Sequence, residues 1–154
     1  MAASLDTVIV QAMVQTSAEP IIHVIDDEAP VRRSLLFLLE SAGWAAVGHE
    51  SAEAFLDAVP PLPAGGGCLV LDIRMPGMSG LELQHHLAAL ASPWPIVFIS
   101  GHGDAEMATR ALAAGAVAFL RKPFRDQALL DAVESAVAAS EIRLMPHCAL
   151  TDFD

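Results

Sequence analysis

The sequence lacks several features that would place it in a specialised class of protein. It has two cysteines without CxxC spacing, and 8 lysines and arginines against 19 aspartates and glutamates. Cys68 in a predicted strand and Cys148 near the end favour free thiols in a reducing cytoplasm over a disulfide framework or a zinc site. The net charge of −11 argues against nucleic-acid binding, which needs a basic face.

Segments typical of export or membrane insertion are also missing. The N-terminal stretch MAASLDTVIVQ has no basic region and contains Asp6, so it is a poor signal peptide. No apolar run is long enough to span a bilayer. Hydrophobic residues nevertheless make up 54% of the chain and charged residues 18%, which excludes a disordered chain. We therefore expect a cytoplasmic protein of about one domain that does not contact a membrane.

From about residue 20 onward, apolar runs alternate with helical patterns. The interpretation of the chain is an N-terminal extension over 1–19, a domain over 20–140 and a tail over 141–154. Helices are predicted after each run, with Ser51, Ser79 and Asp104 as N-caps and the last helix from about Asp126 to Ala139. The stretch that follows either extends this helix or forms a loose tail. The predicted strands are 21–25, 44–50, 68–72, 95–100 and 116–120. Several strands are apolar on both faces, which predicts an α/β, doubly wound fold with a five-stranded parallel sheet and five helices.

Polar side chains follow the ends of four predicted strands. Asp26 and Asp27 follow the first strand, Asp72 ends the third, Ser100 ends the fourth and Lys122 follows the fifth. In a doubly wound fold, functional groups collect at the carboxyl ends of the strands, so we expect these side chains to converge. Three acids and one lysine leave excess negative charge, which a divalent cation would relieve. All-oxygen ligands favour Mg²⁺.

A carboxylate at the end of a buried strand costs free energy unless a cation, a donor or a reaction partner awaits it. Beside Mg²⁺, the Asp72 carboxylate can act as a nucleophile and become an aspartyl phosphate. The metal and a lysine ammonium stabilise charge on the transferring group. A serine hydroxyl can donate to the phosphoryl oxygen once it arrives.

Motifs at these strand ends carry a resemblance to a known family. The pieces HVIDDE, LVLDIRMPGMSGLEL, FISGHGD and AFLRKPF, in this order and at these spacings, are similar to those of response-regulator receiver domains of two-component signalling. Within that family, the likeness is to the FixJ-type subgroup. The resemblance covers about residues 20–139 and implies a flavodoxin-like receiver fold with strand order 2-1-3-4-5.

The resemblance also implies a partner and a metal site. Asp72 would accept a phosphoryl group from a histidine kinase or a phosphotransfer protein. Asp26, Asp27 and Asp72 would hold Mg²⁺ together with the backbone carbonyl of Arg74, with Asp27 as the more direct ligand of the two acids that follow the first strand.

Three further implications concern the switch and its output. Ser100 and Lys122 would contact the phosphoryl group, and Phe119, where receivers commonly have tyrosine, would rotate when the state changes. The change would reach the face formed by helix four, strand five and helix five, which would then take part in homodimerisation or partner binding. FixJ-type members usually carry a C-terminal DNA-binding domain. The residues after the last helix leave no room for such a domain in this sequence, which is therefore either a stand-alone receiver or a receiver cut from a longer protein.

Each candidate residue alone also fits an ordinary structural role. Asp26 and Asp27 are compatible with acids favoured by a helix dipole, Lys122 with a solvated surface lysine, and Phe119 with a core aromatic. His23, inside a predicted strand, is expected to be a packed core histidine. The combination with Asp72 and Lys122 at the strand ends favours the functional interpretation for Asp26 and Asp27, and both interpretations of Lys122 stay open.

Two other functions fit parts of the pattern. A Mg²⁺-dependent aspartyl-phosphate phosphohydrolase of the haloacid-dehalogenase type also uses an aspartate at a strand end. It needs a second acid two residues later, where this sequence has Arg74. A flavodoxin-like flavin binder needs a phosphate loop after strand one, where DDEAP would repel a phosphate. We therefore expect a signalling module and not an enzyme.

Overall fold

The structure is a computed structural model that describes residues 19–58, 62, 65–92, 94–101 and 105–144, with the backbone alone for 142–144. The predicted N-terminal extension lies almost wholly outside these residues, as do the Asp104 cap, Cys148 and residues 145–154 of the predicted tail. Within the described part of the chain, no helix is long and apolar enough to cross a membrane.

Five strands and five helices alternate along the described residues. The strands are β1 (Ile21–Ile25), β2 (Ala45–His49), β3 (Gly67–Asp72), β4 (Ile96–Ser100) and β5 (Ala118–Arg121). The helices are α1 (Ala29–Ser41), α2 (Ala52–Ala58), α3 (Gly80–Ala89), α4 (Ala105–Ala113) and α5 (Asp126–Leu144). All strand pairs are parallel, and the order is β2-β1-β3-β4-β5. The predicted fold class and strand order are confirmed.

The core lies on both faces of the sheet because β3 is apolar on both sides and buried along its whole length. Leu69 and Leu71 of β3 pack into one cluster with residues of α2, α3 and α4. Cys68 and Val70 point the other way, into a second cluster with residues of α1 and α5. Burial of each large apolar side chain stabilises the fold by about 1.5–3 kcal/mol, so the two clusters hold β3 firmly in the centre of the sheet.

Local sequence signals set where several helices begin. Pro30 lies in the first turn of α1, where its missing N–H is not needed. The Ser51 hydroxyl accepts a hydrogen bond from Ala54 N at 2.9 Å at the start of α2. Ser79 and Glu82 form a reciprocal capping box at the start of α3, with Ser79 Oγ accepting from Glu82 N at 3.2 Å. The predicted caps Ser51 and Ser79 are confirmed.

Two element boundaries differ from the first assignment. The last helix continues past Ala139 to Leu144, in agreement with the alternative in which the following stretch extends that helix. Ser140 Oγ accepts a hydrogen bond from Gly67 N at 2.9 Å and donates to Val137 O at 2.6 Å, which ties this part of the helix to the start of β3. Strand five begins at Ala118 and not at residue 116, because Ala116 N donates to Ala111 O and closes the end of α4.

Candidate functional site

Three carboxylates meet at the carboxyl edge of the sheet. Ile25 of β1 pairs with Leu71 of β3, so the next residues along the two strands, Asp26 and Asp72, lie side by side. Asp27 follows directly. One carboxylate oxygen from each of the three acids lies within 4.8 Å of the others. The structure thus brings together the three acids that the strand-end pattern singles out.

The environments of these acids differ. Asp26 is fully buried and Asp72 is 6% exposed, whereas Asp27 is exposed. Oδ1 of Asp26 accepts a hydrogen bond from Glu28 N at 2.9 Å. Oδ2 is buried and has no hydrogen-bond partner, although Lys122 Nζ forms an ion pair with it at 3.6 Å. Asp26 therefore presents a buried oxygen that hydrogen bonds do not satisfy.

The site resists ionisation of its buried acids. Burial is the main cause that raises the pKa of Asp72 to about 6, and the nearby Asp26 raises it further, while Lys122 acts in the opposite direction. The pKa of Asp26 is also raised, chiefly by burial, against the lowering effects of the Glu28 N–H and Lys122. Two carboxylates about 5 Å apart repel by about 3 kcal/mol at an effective dielectric constant of 20.

These residues fit a hard divalent cation. The donors are carboxylate oxygens, one of them buried without a hydrogen bond, and Mg²⁺ prefers oxygen ligands with a small number of carboxylates. A cation at this position would offset both the burial and the mutual repulsion that raise the two pKa values. Zinc is disfavoured because, among the residues that the structure describes, no cysteine or histidine belongs to the acidic cluster.

The neighbouring strands β4 and β5 bring the two other predicted site residues to the same edge. Ser100 ends β4 and is 1% exposed. Ser100 pairs with Arg121, and Lys122 N donates to the Ser100 carbonyl at 2.8 Å. From there the Lys122 side chain reaches Asp26 on the far side of β3, so it is not a free surface lysine. The peptide bond between Lys122 and Pro123 is cis.

The loop between β3 and α3 is closed tightly against the site. Ile73 N donates to Ile99 O at 3.2 Å, and Gly80 N donates to Ile73 O at 2.8 Å. A Cβ atom at position 80 would collide with the carbonyl oxygen of Asp72, so only glycine permits this approach. Arg74 lies exposed in the loop, two residues after Asp72.

Phe119 lies in β5 beside Phe98 of β4, with ring centroids 6.3 Å apart. It is partly buried and packs against the cluster on the α2, α3 and α4 face. His23 is 3% exposed, which confirms the predicted core histidine.

Two contacts near the site have no signal in the sequence. Arg32 of α1 donates from Nη1 to the carbonyl oxygen of Asp26 at 2.7 Å. Glu53 of α2 accepts from Met78 N at 3.3 Å. Both are side-chain contacts to backbone atoms of a different element. Strand and helix patterns therefore do not reveal them.

Comparisons with known proteins agree with this architecture. Residues 22–134 match the model of the response regulator receiver domain. The transcriptional regulatory protein FixJ of Bradyrhizobium diazoefficiens is 49% identical over 120 residues, which cover 78% of this chain and 58% of FixJ. The structure of the response regulator StyR superposes with a TM-score of 0.76 at 49% identity, over 82% of this chain and 63% of that one. The crystal structure of FixJ-N gives a TM-score of 0.73 at 46% identity, over 79% of this chain and 95% of that one.

The match to the curated relatives covers only part of their length. The chain spans little more than half the length of the curated relatives it matches, 58% for the FixJ protein above and 54% for nodulation protein W of the same species. The family match itself extends from β1 into α5 and includes the carboxyl edge with its three acids. Sequence, sheet order and family match therefore agree that this chain belongs to the response regulator receiver domain family of two-component signalling.

Proposed function

We propose that the protein is a phosphorylatable switch in which Asp72 is the phosphoacceptor. The observation that carries this proposal is the cluster of Asp26, Asp27 and Asp72 at one edge of the sheet, with three carboxylate oxygens within 4.8 Å of one another. A carboxylate oxygen of Asp72 attacks the phosphorus of a phosphodonor, the bond from phosphorus to the donor breaks, and the leaving group keeps the electron pair.

Asp26, Asp27, Asp72 and the backbone carbonyl of Arg74 would hold Mg²⁺, with Asp27 as the more direct ligand of the two acids after β1. When bound, the ion supplies positive charge for the oxygens of the transferring group. The unsatisfied Oδ2 of Asp26 and the raised pKa of Asp72 support a cation in this cluster. The Arg74 side chain stands where a phosphohydrolase would need its second acid, which disfavours that alternative.

The remaining site residues contact the phosphoryl group and report its presence. The Lys122 ammonium, now paired with Asp26, neutralises charge on the phosphoryl oxygens. The Ser100 hydroxyl donates to one of them. Phe119 changes its rotamer as Ser100 moves and so alters the face formed by α4, β5 and α5.

The partners follow from this chemistry. A histidine kinase or a phosphotransfer protein donates the phosphoryl group in the cytoplasm, and the face of α4, β5 and α5 binds a second copy or another protein in the phosphorylated state. Leu112 of α4 is 47% exposed, among the small residues of that helix. The net charge of −11 makes direct nucleic-acid binding by this chain unfavourable. The protein is thus a signalling module and not a metabolic enzyme.

The proposal is tested by incubation with Mg²⁺ and a small phosphodonor such as acetyl phosphate. We expect intact-mass analysis to show one added phosphoryl group in the wild type and none in Asp72→Asn, which is nearly isosteric. Asp57→Asn, at an exposed position of α2, is the matched control and should be labelled like the wild type. Equal labelling of Asp72→Asn and wild type would show that Asp72 is not the acceptor.

A further inference from the structure

A side chain outside the acidic cluster is hydrogen-bonded to the loop that follows Asp72. Oε2 of Glu53, on α2, accepts a hydrogen bond from Met78 N at 3.3 Å. Met78 is near the outer end of the loop between β3 and α3, just before the Ser79 cap. The bond therefore connects α2 to a segment whose other end is Asp72.

The backbone next to Met78 lies close to the same carboxylate. Gly77 has a φ of +75°, in the left-handed region, and its Cβ position lies next to Oε2 of Glu53, the end of an exposed and flexible side chain. Glycine is therefore favoured at position 77 by the backbone conformation.

The loop has separate anchors along its length. At its base, Gly80 N donates to Ile73 O at 2.8 Å. In its middle, the Met75 side chain is buried in the core. Glu53 supplies the anchor at the outer end. Arg74 lies between the base and the middle anchor, in the same loop as Met78.

We propose that Glu53 is a positioning residue for the metal site. By accepting the Met78 N–H, its carboxylate holds the loop in the conformation that directs the Arg74 carbonyl toward Mg²⁺. This inference rests on the proposed function, in which that carbonyl is a ligand. Groups that orient ligands commonly change metal affinity by about ten-fold or more when they are removed.

The test is the Mg²⁺ affinity of the folded protein, measured by NMR from the backbone amide shifts of Asp27 and Arg74 as Mg²⁺ is added. We expect Glu53→Ala to weaken Mg²⁺ binding about ten-fold. Glu53→Gln keeps an acceptor oxygen but removes the charge, and should bind like the wild type. Asp57→Ala removes one charge from the same helix at an exposed position, and should also bind like the wild type.

These variants distinguish a failure of the inference about Glu53 from a failure of the proposed function. Equal affinity in wild type and Glu53→Ala would overturn the inference, and so would a loss in Glu53→Gln as large as that in Glu53→Ala, because charge would then be the cause. A wild type that binds no Mg²⁺ would overturn the proposed function and this inference with it.

Discussion

Two clusters of buried titratable side chains lie along β1, and protonation of the two clusters changes the stability of the fold in opposite directions. One contains His23, within the strand, and His49 of β2. The other contains Asp26, directly after the strand, and Asp72. Each cluster contains one buried atom without a hydrogen-bond partner, Nε2 of His23 and Oδ2 of Asp26, yet the two clusters differ in their charge at neutral pH.

The histidine cluster is held in its neutral form, although Nε2 of His23 is buried without a hydrogen-bond partner. Nδ1 of His23 and Nε2 of His49 lie 2.8 Å apart and share a hydrogen bond. The His23 ring also makes edge contacts with Phe55 and Trp94, at centroid distances of 5.5 Å and 5.0 Å. Burial, and then the proximity of His49, lower the pKa of His23 to about 4. At neutral pH this cluster therefore carries no charge that burial would oppose.

The acidic cluster is left unsatisfied in its charged form. The raised pKa of Asp72, about 6, still leaves the carboxylate mostly ionised at neutral pH, beside a buried and unsatisfied oxygen of Asp26. The difference teaches that burial alone does not mark a functional group. The acidic cluster destabilises the fold in the absence of a ligand, whereas the histidine cluster contributes to the core.

The largest effect on stability is expected from truncating Phe55, whose ring contacts both His23 and His49. Phe55 is fully buried, so Phe55→Ala should destabilise the fold by about 3–5 kcal/mol through lost burial and a cavity. Phe37→Ala, at a site that is 74% exposed, is the control and should change stability by less than about 0.5 kcal/mol. Urea unfolding measures both. A small loss for Phe55→Ala would contradict the structural role of this cluster.

Replacing the Asp72 carboxylate with a neutral amide should stabilise the fold, whereas Phe55→Ala destabilises it. The pKa of Asp72 is raised from its ordinary value of 3.8 to about 6, so the folded state binds a proton more tightly than the unfolded state. Ionisation above pH 6 therefore costs the fold about 3 kcal/mol. Without Mg²⁺, Asp72→Asn should be more stable than the wild type by about this amount above pH 6.

That gain should shrink as the pH falls from 6 toward 3.8, because the wild-type carboxyl then becomes protonated in the folded state. Unfolding free energies across this range measure the trend, with Asp57→Asn as the exposed control. A wild type that is more stable than Asp72→Asn at neutral pH without Mg²⁺ would contradict the account.

Lowering the pH should destabilise the fold through protonation of His23. The pKa of His23 falls from 6.5 to about 4 on folding, so the unfolded state binds the proton more tightly. The stability that neutral His23 contributes is fully present above pH 6.5 and is lost as the pH falls toward 4. The loss amounts to about 3 kcal/mol.

His23→Leu should remove this part of the pH dependence, and His85→Leu, at an exposed position of α3, should not. The measurement is the slope of the unfolding free energy against pH between these values. An identical slope in His23→Leu and wild type would show that His23 does not titrate in this way.

Much of the fold could be predicted because its signals are local. The apolar run of β3 ends at Asp72, and Ser51 and Ser79 cap the helices that follow them in sequence. The sequence left two alternatives open for the end of α5, because the hydrogen bond from Gly67 N to Ser140 Oγ joins residues that are 73 positions apart. Helix propensity and periodicity carry no trace of that contact.

The candidate site likewise combines residues that could be predicted from the sequence with contacts that could not. Asp26, Asp27 and Asp72 could be predicted because the carboxyl ends of parallel strands share one edge. The contacts of Arg32 with the Asp26 carbonyl and of Glu53 with Met78 N could not be predicted, because each joins a helix side chain to the backbone of another element. Such contacts depend on the final helix positions.

The most direct test of the central claim is the unfolding free energy with and without Mg²⁺ at neutral pH. If the acidic cluster is a cation site, Mg²⁺ at ten times its Kd should stabilise the wild type by about 1.4 kcal/mol. His23→Leu should gain as much, and Asp72→Asn should gain much less. No gain in the wild type, or an equal gain in Asp72→Asn, would contradict the account.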